Sequence, residues 1–560
     1  MSNTAARQLL SSLRDAGVRY VFANAGTDFA PIVEAIAAES DAAFPEFVIC
    51  PHENLAVAMA QGYFLASGEA QAAMVHVNVG VANSVCGLLN AARDNIPMIF
   101  LSGRTPVSEA GRLGSRDNFI HWGQEMFDQA GMIREIVKWD YELRFPEQVP
   151  FLVARAAAIA NSAPQGPVYL SLPREVLAES SPAAGPPIRM APARAPSPDV
   201  EAIARAAELI TKARSPLIIT SRAGRTAAGF AALAGFASRL AVPVVEFAAN
   251  YACLPGDHEM HAGYSPATHL ASADLVISLE APIPFAPQRI RPSPECHFVE
   301  IGVDPLYENL PYRGFEADVA IRADTDAALN ALVTAIVGST GFDETLVTAR
   351  RDRLRPLLLS ARLARRKDAS TPGLSITHAF ASYCINEALG PQSVLVNERG
   401  CLRDAMSFIS PGTFFGPTIA GGLGASIGVA LGVKLAAPGK FVAAALGDGS
   451  FIFNNPVACF QAAAARKLGI LVLVLNNNAW DSVRASTLQV YPSGATATSN
   501  CAPLTYLSPS PDYAAVARAC GADGLSVADP AELQDALARA VEAVKAGGRS
   551  VLVDIKIAAG

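Results

Sequence analysis

The sequence alternates short apolar runs with helix-length segments, and it does so in three successive blocks. The strand-like runs are VRYVFANAG, PEFVIC, AAMVHVNVG, PMIFLSG and GPVYLSLP in the first block, SPLIITSRAG, VPVVEFAA, DLVISLEAP and HFVEIGVD in the second, and SVLVNE, KFVAAALGDGS, GILVLVLNNN and SVLVDIKI in the third. Short β-branched runs separated by helices are typical of parallel sheets covered on both faces. A chain of 560 residues is also too long for a single hydrophobic core. The sequence therefore predicts an α/β fold of three domains, each with a central parallel sheet flanked by helices.

Two segments without strand-like runs separate the blocks. Residues 181–198 are rich in Pro and Ala, which indicates an exposed linker. A basic, Leu-rich helix over 346–366 leads into a loop that contains Pro372 and Gly373. The predicted limits are 1–185 for an N-terminal domain, 190–340 for a central domain, 341–373 for a linker and 374–560 for a C-terminal domain.

Composition and charge exclude several classes of function. A net charge of −7 without a Lys/Arg run argues against a nucleic-acid-binding protein. The apolar runs have the length of strands and are too short to cross a bilayer. The N-terminus lacks the pattern of a secretory signal, and nine cysteines without ligand or disulfide spacing suit a reduced protein. We therefore expect a cytoplasmic protein that binds neither nucleic acid nor membrane.

Polar residues follow two neighbouring strands of the third block. One strand-like run ends in Gly447, Asp448, Gly449 and Ser450, and the next, one βαβ unit further on, ends in three asparagines over 476–478. Carboxyl ends of parallel strands meet at the edge where such folds bind ligands. A carboxylate and an amide oxygen there suit a hard divalent cation, and the glycines with the following helix suit a diphosphate. Each motif alone is also consistent with an ordinary polar turn, whereas together they predict a site for a metal and a diphosphate.

These motifs resemble the thiamine-diphosphate motif of the 2-keto acid decarboxylase and acetolactate synthase superfamily. The resemblance implies that Asp448 and Asn477 bind Mg²⁺ through their side chains and that Ala479 binds it through its carbonyl. It also implies that the Gly-Asp-Gly-Ser turn contacts the diphosphate of the cofactor.

Other segments of the third block resemble benzoylformate decarboxylases within that superfamily. The segment NNNAWDSVR is similar to their NNGTYGALR, and VLVNERG, with Asn397, and AGGLGASIGVALGVKLA, with Gly422 and Leu423, also match. The resemblance implies that these three residues contact the cofactor and that Leu423 holds it in a bent shape. An ordinary core leucine is the alternative for Leu423.

The first block carries the residue that resembles the superfamily's essential acid. Glu53 follows the strand-like run EFVIC and matches the acid in the pattern xEHAAxxMAxGYAxxxG. The resemblance implies that Glu53 hydrogen-bonds the cofactor's pyrimidine ring and is needed to form its reactive carbanion. Taken alone, an acid in a first helical turn also complements the helix dipole.

Three further residues are expected near the substrate. His76 aligns with the active-site histidine of benzoylformate decarboxylases and is the candidate proton shuttle, the alternative being a strand-end histidine bonded to backbone. Thr27 aligns with the pocket serine of their NPGSNE segment, where it would bind the substrate carboxylate, the alternative being a helix N-cap. Gln124 lies in a segment similar to acetolactate synthases, which implies a place near the cofactor.

The middle block departs from both families. Its stretch EAPIPFAPQRIRP lacks the second catalytic histidine of benzoylformate decarboxylases and has Phe285 near that position. The same stretch replaces the FGxRFDDR segment of acetolactate synthases, so we do not expect bound FAD.

The resemblance implies decarboxylation of a 2-keto acid through an enamine intermediate, with thiamine diphosphate and Mg²⁺. Release of an aldehyde is the first interpretation. Carboligation of the acetolactate synthase type is the alternative, and a non-catalytic scaffold is a further one. Because the cofactor of this superfamily spans two subunits, the resemblance implies at least a homodimer and favours a homotetramer.

Overall fold

The computed structural model describes residues 3–38, 44–182 and 185–558, and its strands form three parallel sheets flanked by helices. The predicted fold class is therefore confirmed. The sheets occupy residues 20–173, 216–322 and 394–556, whereas the domain limits between them stay predictions.

Within the described residues, the first sheet has six strands. These are β1 (Tyr20–Ala23), β2 (Glu46–Ile49), β3 (Gln71–Val75), β4 (Met98–Arg104), β5 (Asp140–Glu142) and β6 (Val168–Pro173). The helices are α1 (Ala5–Asp15), α2 (Ala30–Ala37), α3 (Glu53–Ser67), α4 (Val77–Arg93), α5 (Ile120–Gly123), α6 (Val149–Asn161) and α7 (Arg174–Ala178). The strand order is β2-β1-β3-β4-β6-β5, which reverses direction between β1 and β3. Ligands of such sheets bind outside the carboxyl ends of the strands at this reversal.

The middle sheet is smaller, with five strands in the described part of the chain. These are β7 (Pro216–Thr220), β8 (Val244–Glu246), β9 (Leu275–Leu279), β10 (His297–Gly302) and β11 (Val319–Arg322), in the order β11-β10-β9-β7-β8. The helices are α8 (Val200–Lys212), α9 (Ala227–Leu240), α10 (Ala267–Leu270) and α11 (Thr325–Val337). A long helix, α12 (Glu344–Ser370), then leads to the last sheet and covers most of the predicted linker.

The third sheet again has six strands among the residues described. These are β12 (Val394–Glu398), β13 (Phe414–Phe415), β14 (Val442–Gly447), β15 (Leu471–Asn476), β16 (Asp523–Val527) and β17 (Val551–Lys556). The helices are α13 (His378–Leu389), α14 (Ser426–Ala436), α15 (Asp448–Phe453), α16 (Pro456–Arg466), α17 (Asp481–Val490), α18 (Ala495–Ser499), α19 (Tyr513–Ala519) and α20 (Leu533–Gly547). The order β13-β12-β14-β15-β17-β16 repeats that of the first sheet strand for strand.

One predicted helix is wrong in its extent. The sequence suggested a continuous helix after Ser450, but the structure breaks it into α15 and α16. Asn455 adopts a left-handed conformation with φ 51° and Pro456 opens α16. Proline cannot continue a helix through the preceding turn, which explains the break.

Helices α3 and α14 join the first and third domains. They are equivalent elements, since α3 connects β2 to β3 and α14 connects β13 to β14. A Cβ atom at Gly62 would lie 1.9 Å from the carbonyl oxygen of Val429, and one at Gly432 would lie 2.1 Å from that of Met59. The two backbones therefore approach each other closely at paired glycines.

No helix in the described ranges combines the length and apolar character needed to cross a membrane.

Candidate active site

The predicted metal turn lies at the carboxyl end of β14. Asp448 is 2% exposed, and its Oδ1 accepts the N–H of Gly449 at 2.9 Å. Its Oδ2 is buried and has no hydrogen-bond partner among the described residues. Burial raises the pKa of Asp448, and backbone N–H groups of Gly449, Asn478 and Ala479 oppose that shift. Within the described residues, backbone N–H groups are what offset the burial of this carboxylate.

The asparagine turn lies at the carboxyl end of the neighbouring strand, β15. Asn477 Oδ1 accepts the N–H of Ala479 at 3.1 Å, so this predicted ligand also closes its own turn. Asn478 has a left-handed φ of 57°, and its Oδ1 is buried without a partner among the residues described. Asn476 donates to Asp554 at 3.0 Å, which ties the end of β15 to β17.

A divalent cation fits this edge of the sheet. The unpartnered oxygens of Asp448 and Asn478 are of the kind that Mg²⁺ binds. The described residues contain no group of three or more His, Cys, Asp or Glu side chains able to hold a metal ion. A metal here would therefore need a mixed set of one carboxylate with amide and backbone oxygens, as the sequence suggested for Asp448, Asn477 and Ala479.

The two glycines of the turn differ in their surroundings. A Cβ atom at Gly447 would meet nothing within 4 Å, which leaves open space beside the turn. At Gly449 a Cβ atom would lie 2.1 Å from the ring of Trp480. Gly449 therefore makes room for an indole ring, a reason that the sequence did not reveal. Ser450 is 7% exposed, and its carbonyl accepts the Nδ2–H of Asn454 at 2.7 Å.

Glu53 is the first residue of α3. The ring Nδ1 of His52 caps this helix by accepting the N–H of Asn54 at 3.1 Å. Glu53 is 8% exposed and accepts the side-chain N–H of Asn83, from α4, at 3.1 Å. The next residue, Asn54, donates to the carbonyl of Gly424 at 2.6 Å. The helix that carries the acid therefore touches the third domain directly.

The segment Gly421–Gly424 lies against the first domain. Gly422 exchanges two hydrogen bonds with the side chain of Asn90, at 3.0 and 3.2 Å. The carboxylate of Glu398, at the end of β12, accepts the N–H groups of Gly424, Ala425 and Ser426 at 2.6 to 3.0 Å. Glu398 therefore holds both the glycine segment and the start of α14. Leu423, which lies within the glycine segment, is half-buried.

His76 lies at the carboxyl end of β3, beside the reversal in strand order. Its Nδ1 is 2.5 Å from Oδ1 of Asp28, and its Nε2 is 3.4 Å from Nε2 of Gln124. The structure therefore brings the predicted residues His76 and Gln124 together and adds Asp28 to them. The alternative of a histidine bonded only to backbone is wrong.

Thr27 and Asn397 are the remaining predicted residues. Thr27 is exposed and begins a short 3-10 turn whose N-cap is Gly26, so its alternative role as a cap is not observed. The amide of Asn397 closes its own loop by bonding the N–H and the carbonyl of Cys401 at 2.7 and 3.0 Å.

Sequence reasoning missed Asp28 and the part that Glu398 plays. The signal for Asp28 was present, because a carboxylate follows β1 at the edge where His76 follows β3. The bonds of Glu398 to the glycine segment had no local signal, since they join residues 26 to 28 positions apart.

Comparison with known sequence families matches the chain in three consecutive parts. The family "Thiamine pyrophosphate enzyme, N-terminal TPP binding domain" matches residues 3–132, the central domain matches 203–332, and the C-terminal TPP binding domain matches 399–555. The chain belongs to the thiamine pyrophosphate enzyme family. Within it, the chain is an enzyme of the kind that includes 2-keto acid decarboxylases and acetolactate synthases.

Similar proteins cover nearly the whole chain. A probable 2-ketoarginine decarboxylase of Pseudomonas aeruginosa is 29% identical over 95% of this chain and 90% of its own length. The benzoylformate decarboxylase of the same organism is 26% identical over 97% of both chains. The acetolactate synthase isozyme 3 large subunit of Escherichia coli is 25% identical over 99% of this chain and 94% of its own.

Solved structures share the fold. The thiamine diphosphate-dependent 4-hydroxybenzoylformate decarboxylase of Rhodococcus jostii has a TM-score of 0.79 at 21% identity, covering 100% of this chain and 99% of that one. A putative thiamin diphosphate-dependent enzyme of Mycobacterium smegmatis has a TM-score of 0.77 at 24% identity, covering 100% of both chains.

Proposed function

We propose that this enzyme decarboxylates a 2-keto acid with thiamine diphosphate and Mg²⁺ and releases an aldehyde. The observation that carries the proposal is the placement of His76, whose Nε2 points away from its carboxylate partner and towards Gln124. A histidine so placed suits transfer of a proton to the product, because an imidazole ring can both take up and give off a proton at its free nitrogen.

Mg²⁺ is proposed to bind at the turn after β14. Asp448 and Asn477 would hold it by side-chain oxygens and Ala479 by its carbonyl. The buried, unpartnered Oδ2 of Asp448 supports this assignment, since a cation would offset the cost of burying that oxygen. The open space beside Gly447 leaves room for a diphosphate.

The cofactor supplies the carbanion chemistry, and the chain supplies orientation, proton transfer and exclusion of water. Glu53 would hydrogen-bond the pyrimidine ring, with Asn83 fixing the direction of its carboxylate. Glu398 and Asn90 would hold the segment that carries Leu423 against that ring. Thr27, exposed at the carboxyl end of β1, would bind the substrate carboxylate.

Carboligation is the second candidate function. Gln124 lies next to His76, in the segment that resembles acetolactate synthases. An amide beside the proton donor suits the binding of a second carbonyl compound. The decarboxylated carbon would then form a bond to that compound instead of to a proton.

We propose a homodimer as the smallest assembly, with a homotetramer as the favoured state. Large apolar side chains near the site are exposed in the single chain: Phe119 by 85%, Trp122 by 50% and Phe453 by 52%. Exposed apolar groups in such numbers are typical of surfaces that a partner covers.

The nine free cysteines support a place in the reducing cytoplasm.

A panel of keto acids tests the function. Purified protein with thiamine diphosphate and Mg²⁺ is given pyruvate, a branched-chain keto acid, benzoylformate and 2-ketoarginine, and CO₂ and organic products are measured. We expect cofactor-dependent CO₂ release with an aldehyde as the main product, whereas a 2-hydroxyketone as the main product would favour carboligation. Glu53→Gln should lower the rate at least about 10²-fold.

Glu69→Gln is the matched control, because Glu69 follows α3 and is 44% exposed in its side chain. It should keep the wild-type rate. A protein that releases no CO₂ from any acid and gains no thermal stability from the cofactor would instead be a scaffold.

A further inference from the structure

A buried carboxylate faces His76 from the end of the neighbouring strand. Asp28 lies in the turn Thr27–Phe29, and only 4% of it is exposed. Its Oδ1 is 2.5 Å from Nδ1 of His76, and its Oδ2 accepts the N–H of Val77 at 3.3 Å. Both oxygens of Asp28 are therefore engaged at the start of α4.

This contact decides which ring nitrogen of His76 carries a proton. An ionised carboxylate can only accept hydrogen bonds, so Nδ1 of His76 must donate to Asp28. The other nitrogen, Nε2, faces the amide of Gln124 at 3.4 Å. Rotation of its side-chain amide lets Gln124 present either an N–H or an oxygen to Nε2. Gln124 can therefore hydrogen-bond a neutral ring as a donor or a protonated ring as an acceptor.

The surrounding backbone is shaped to this pair. A Cβ atom at Gly26 would lie 2.2 Å from the ring of His76, and one at Gly103 would lie 1.7 Å from Oδ2 of Asp28. Glycine at both positions leaves space for the two side chains.

The backbone beside the pair is also strained. Val77 adopts a φ of 30°, which is unfavourable for a β-branched residue. Strain of this kind is found mainly at functional sites, where the surrounding structure enforces it.

We propose that Asp28 is a positioning residue that keeps a proton on Nδ1 of His76, so that Nε2 is the nitrogen that takes up a proton and delivers it to the decarboxylated carbon. This inference rests on the proposed function. Before the step the ring carries a proton on both nitrogens. The proton on Nε2 moves to the carbon, whose electron pair forms the new C–H bond. The ring becomes neutral with Nδ1–H still donated to Asp28, and a proton taken up from solvent restores the one on Nε2.

Asp28 thereby also sets the balance between the two products. When Nε2 delivers its proton quickly, the carbon is released as an aldehyde. When delivery is slow, the same carbon attacks a second carbonyl compound and leaves as a 2-hydroxyketone.

Asp28→Asn tests the proposal in the holoenzyme. The oxygen of the new amide keeps the bond from the N–H of Val77, so its N–H faces Nδ1 and shifts the ring proton to Nε2. We expect kcat for aldehyde release to fall about 10²–10⁴-fold with little change in KM. With acetaldehyde added as acceptor, the ratio of 2-hydroxyketone to aldehyde should rise.

The tautomer is read directly by ¹⁵N magic-angle-spinning NMR of histidine-labelled protein, with His76→Gln to assign the signal. Wild-type protein should show Nδ1–H at His76 and Asp28→Asn should show Nε2–H. This measurement requires no activity, so it separates the present proposal from the proposed function. An Nε2–H tautomer in the wild type overturns the proposal even if no keto acid is a substrate.

Glu175→Gln is the control for loss of a buried carboxylate. Glu175, in α7, is 1% exposed and accepts the N–H and the hydroxyl of Ser108, both at 2.8 Å. It should leave the product ratio and the His76 tautomer unchanged. Equal falls in rate for both variants, with an unchanged ratio in each, would reduce Asp28 to a structural role and overturn the proposal.

Discussion

Two buried oxygen atoms at the edge of the third sheet lack hydrogen-bond partners among the described residues, as expected of ligands for a cation. Oδ2 of Asp448 and Oδ1 of Asn478 are buried without hydrogen-bond partners among the described residues. Leaving such an atom unpaired costs about 1–3 kcal/mol, and more when it is charged. The raised pKa of Asp448 has the same cause, because burial disfavours its ionised form. A cation beside Oδ2 of Asp448 would offset the cost of burying that carboxylate.

Asp448→Asn should therefore abolish the stabilisation that Mg²⁺ and thiamine diphosphate give to the wild type. The amide keeps the shape of the side chain but loses the charge that attracts the metal. Differential scanning fluorimetry of apo and loaded protein measures the effect. Asp523→Asn, at a carboxylate of the same domain that is 54% exposed, should keep the full shift. A full shift in Asp448→Asn would locate the metal elsewhere.

At the level of elements, two equivalent helices hold the start of α3, at Asn54, against the glycine segment of the third domain. Helix α3 begins with Glu53, and α14 follows directly on Gly421–Gly424. Their crossing depends on Gly62 and Gly432, each of which receives a carbonyl oxygen of the other helix. The distance between the two helices, and with it the contact between Asn54 and Gly424, is therefore set by residues without side chains.

Gly62→Ala should destabilise the protein by about 1–3 kcal/mol, because the added methyl group would lie 1.9 Å from the carbonyl oxygen of Val429. Urea unfolding followed by circular dichroism measures this loss. Gly235→Ala is the control, since a Cβ atom there would meet nothing within 4 Å in the exposed face of α9. It should stabilise the protein by up to about 1 kcal/mol, the ordinary preference of a helix for Ala. Equal stability of Gly62→Ala and the wild type would show that the helices can move apart freely.

At the level of the whole molecule, buried charges join the three domains. Arg222, which follows β7, is 2% exposed and contacts Asp94 of the first domain at 2.9 Å. Asn250 accepts a further hydrogen bond from Arg222 at 3.1 Å and donates to Pro417 of the third domain at 2.7 Å. Arg403 of the third domain pairs with Glu246 of the middle sheet at 2.8 Å. The middle domain is therefore tied to both the first and the third domain by buried polar contacts.

Arg222→Met should destabilise the protein by about 3–5 kcal/mol at neutral pH, because it leaves the buried Asp94 without its cation. The pKa of Asp94 is already raised by burial, against the opposing effect of Arg222, and it should rise further in the variant. A raised folded-state pKa gives stability that is present at low pH and lost as pH rises. The deficit should therefore shrink as pH falls, and melting temperatures across pH 5 to 8 measure it.

The double variant Arg222→Met/Asp94→Asn provides the control for this pair. It removes both charges, so part of the lost stability should return and the pH dependence of the deficit should disappear. A deficit in Arg222→Met that stays constant across this pH range would show that Asp94 is not the group responsible.

Local sequence patterns were enough to predict the fold class, the three sheets and the polar turns at the ends of β14 and β15, because the alternation of strands and helices and the strand-end glycines are visible in short segments. The break before Pro456 was not predicted, although the Asn-Asn-Pro segment carries a local signal for it. The contact of Asp28 with His76, 48 positions away, and that of Asn90 with Gly422, 332 positions away, became known only from the folded chain. Such pairs depend on how strands order themselves in a sheet and how helices cross between domains. No stretch of local sequence encodes either, so the residues that orient the site became visible only once the chain was folded.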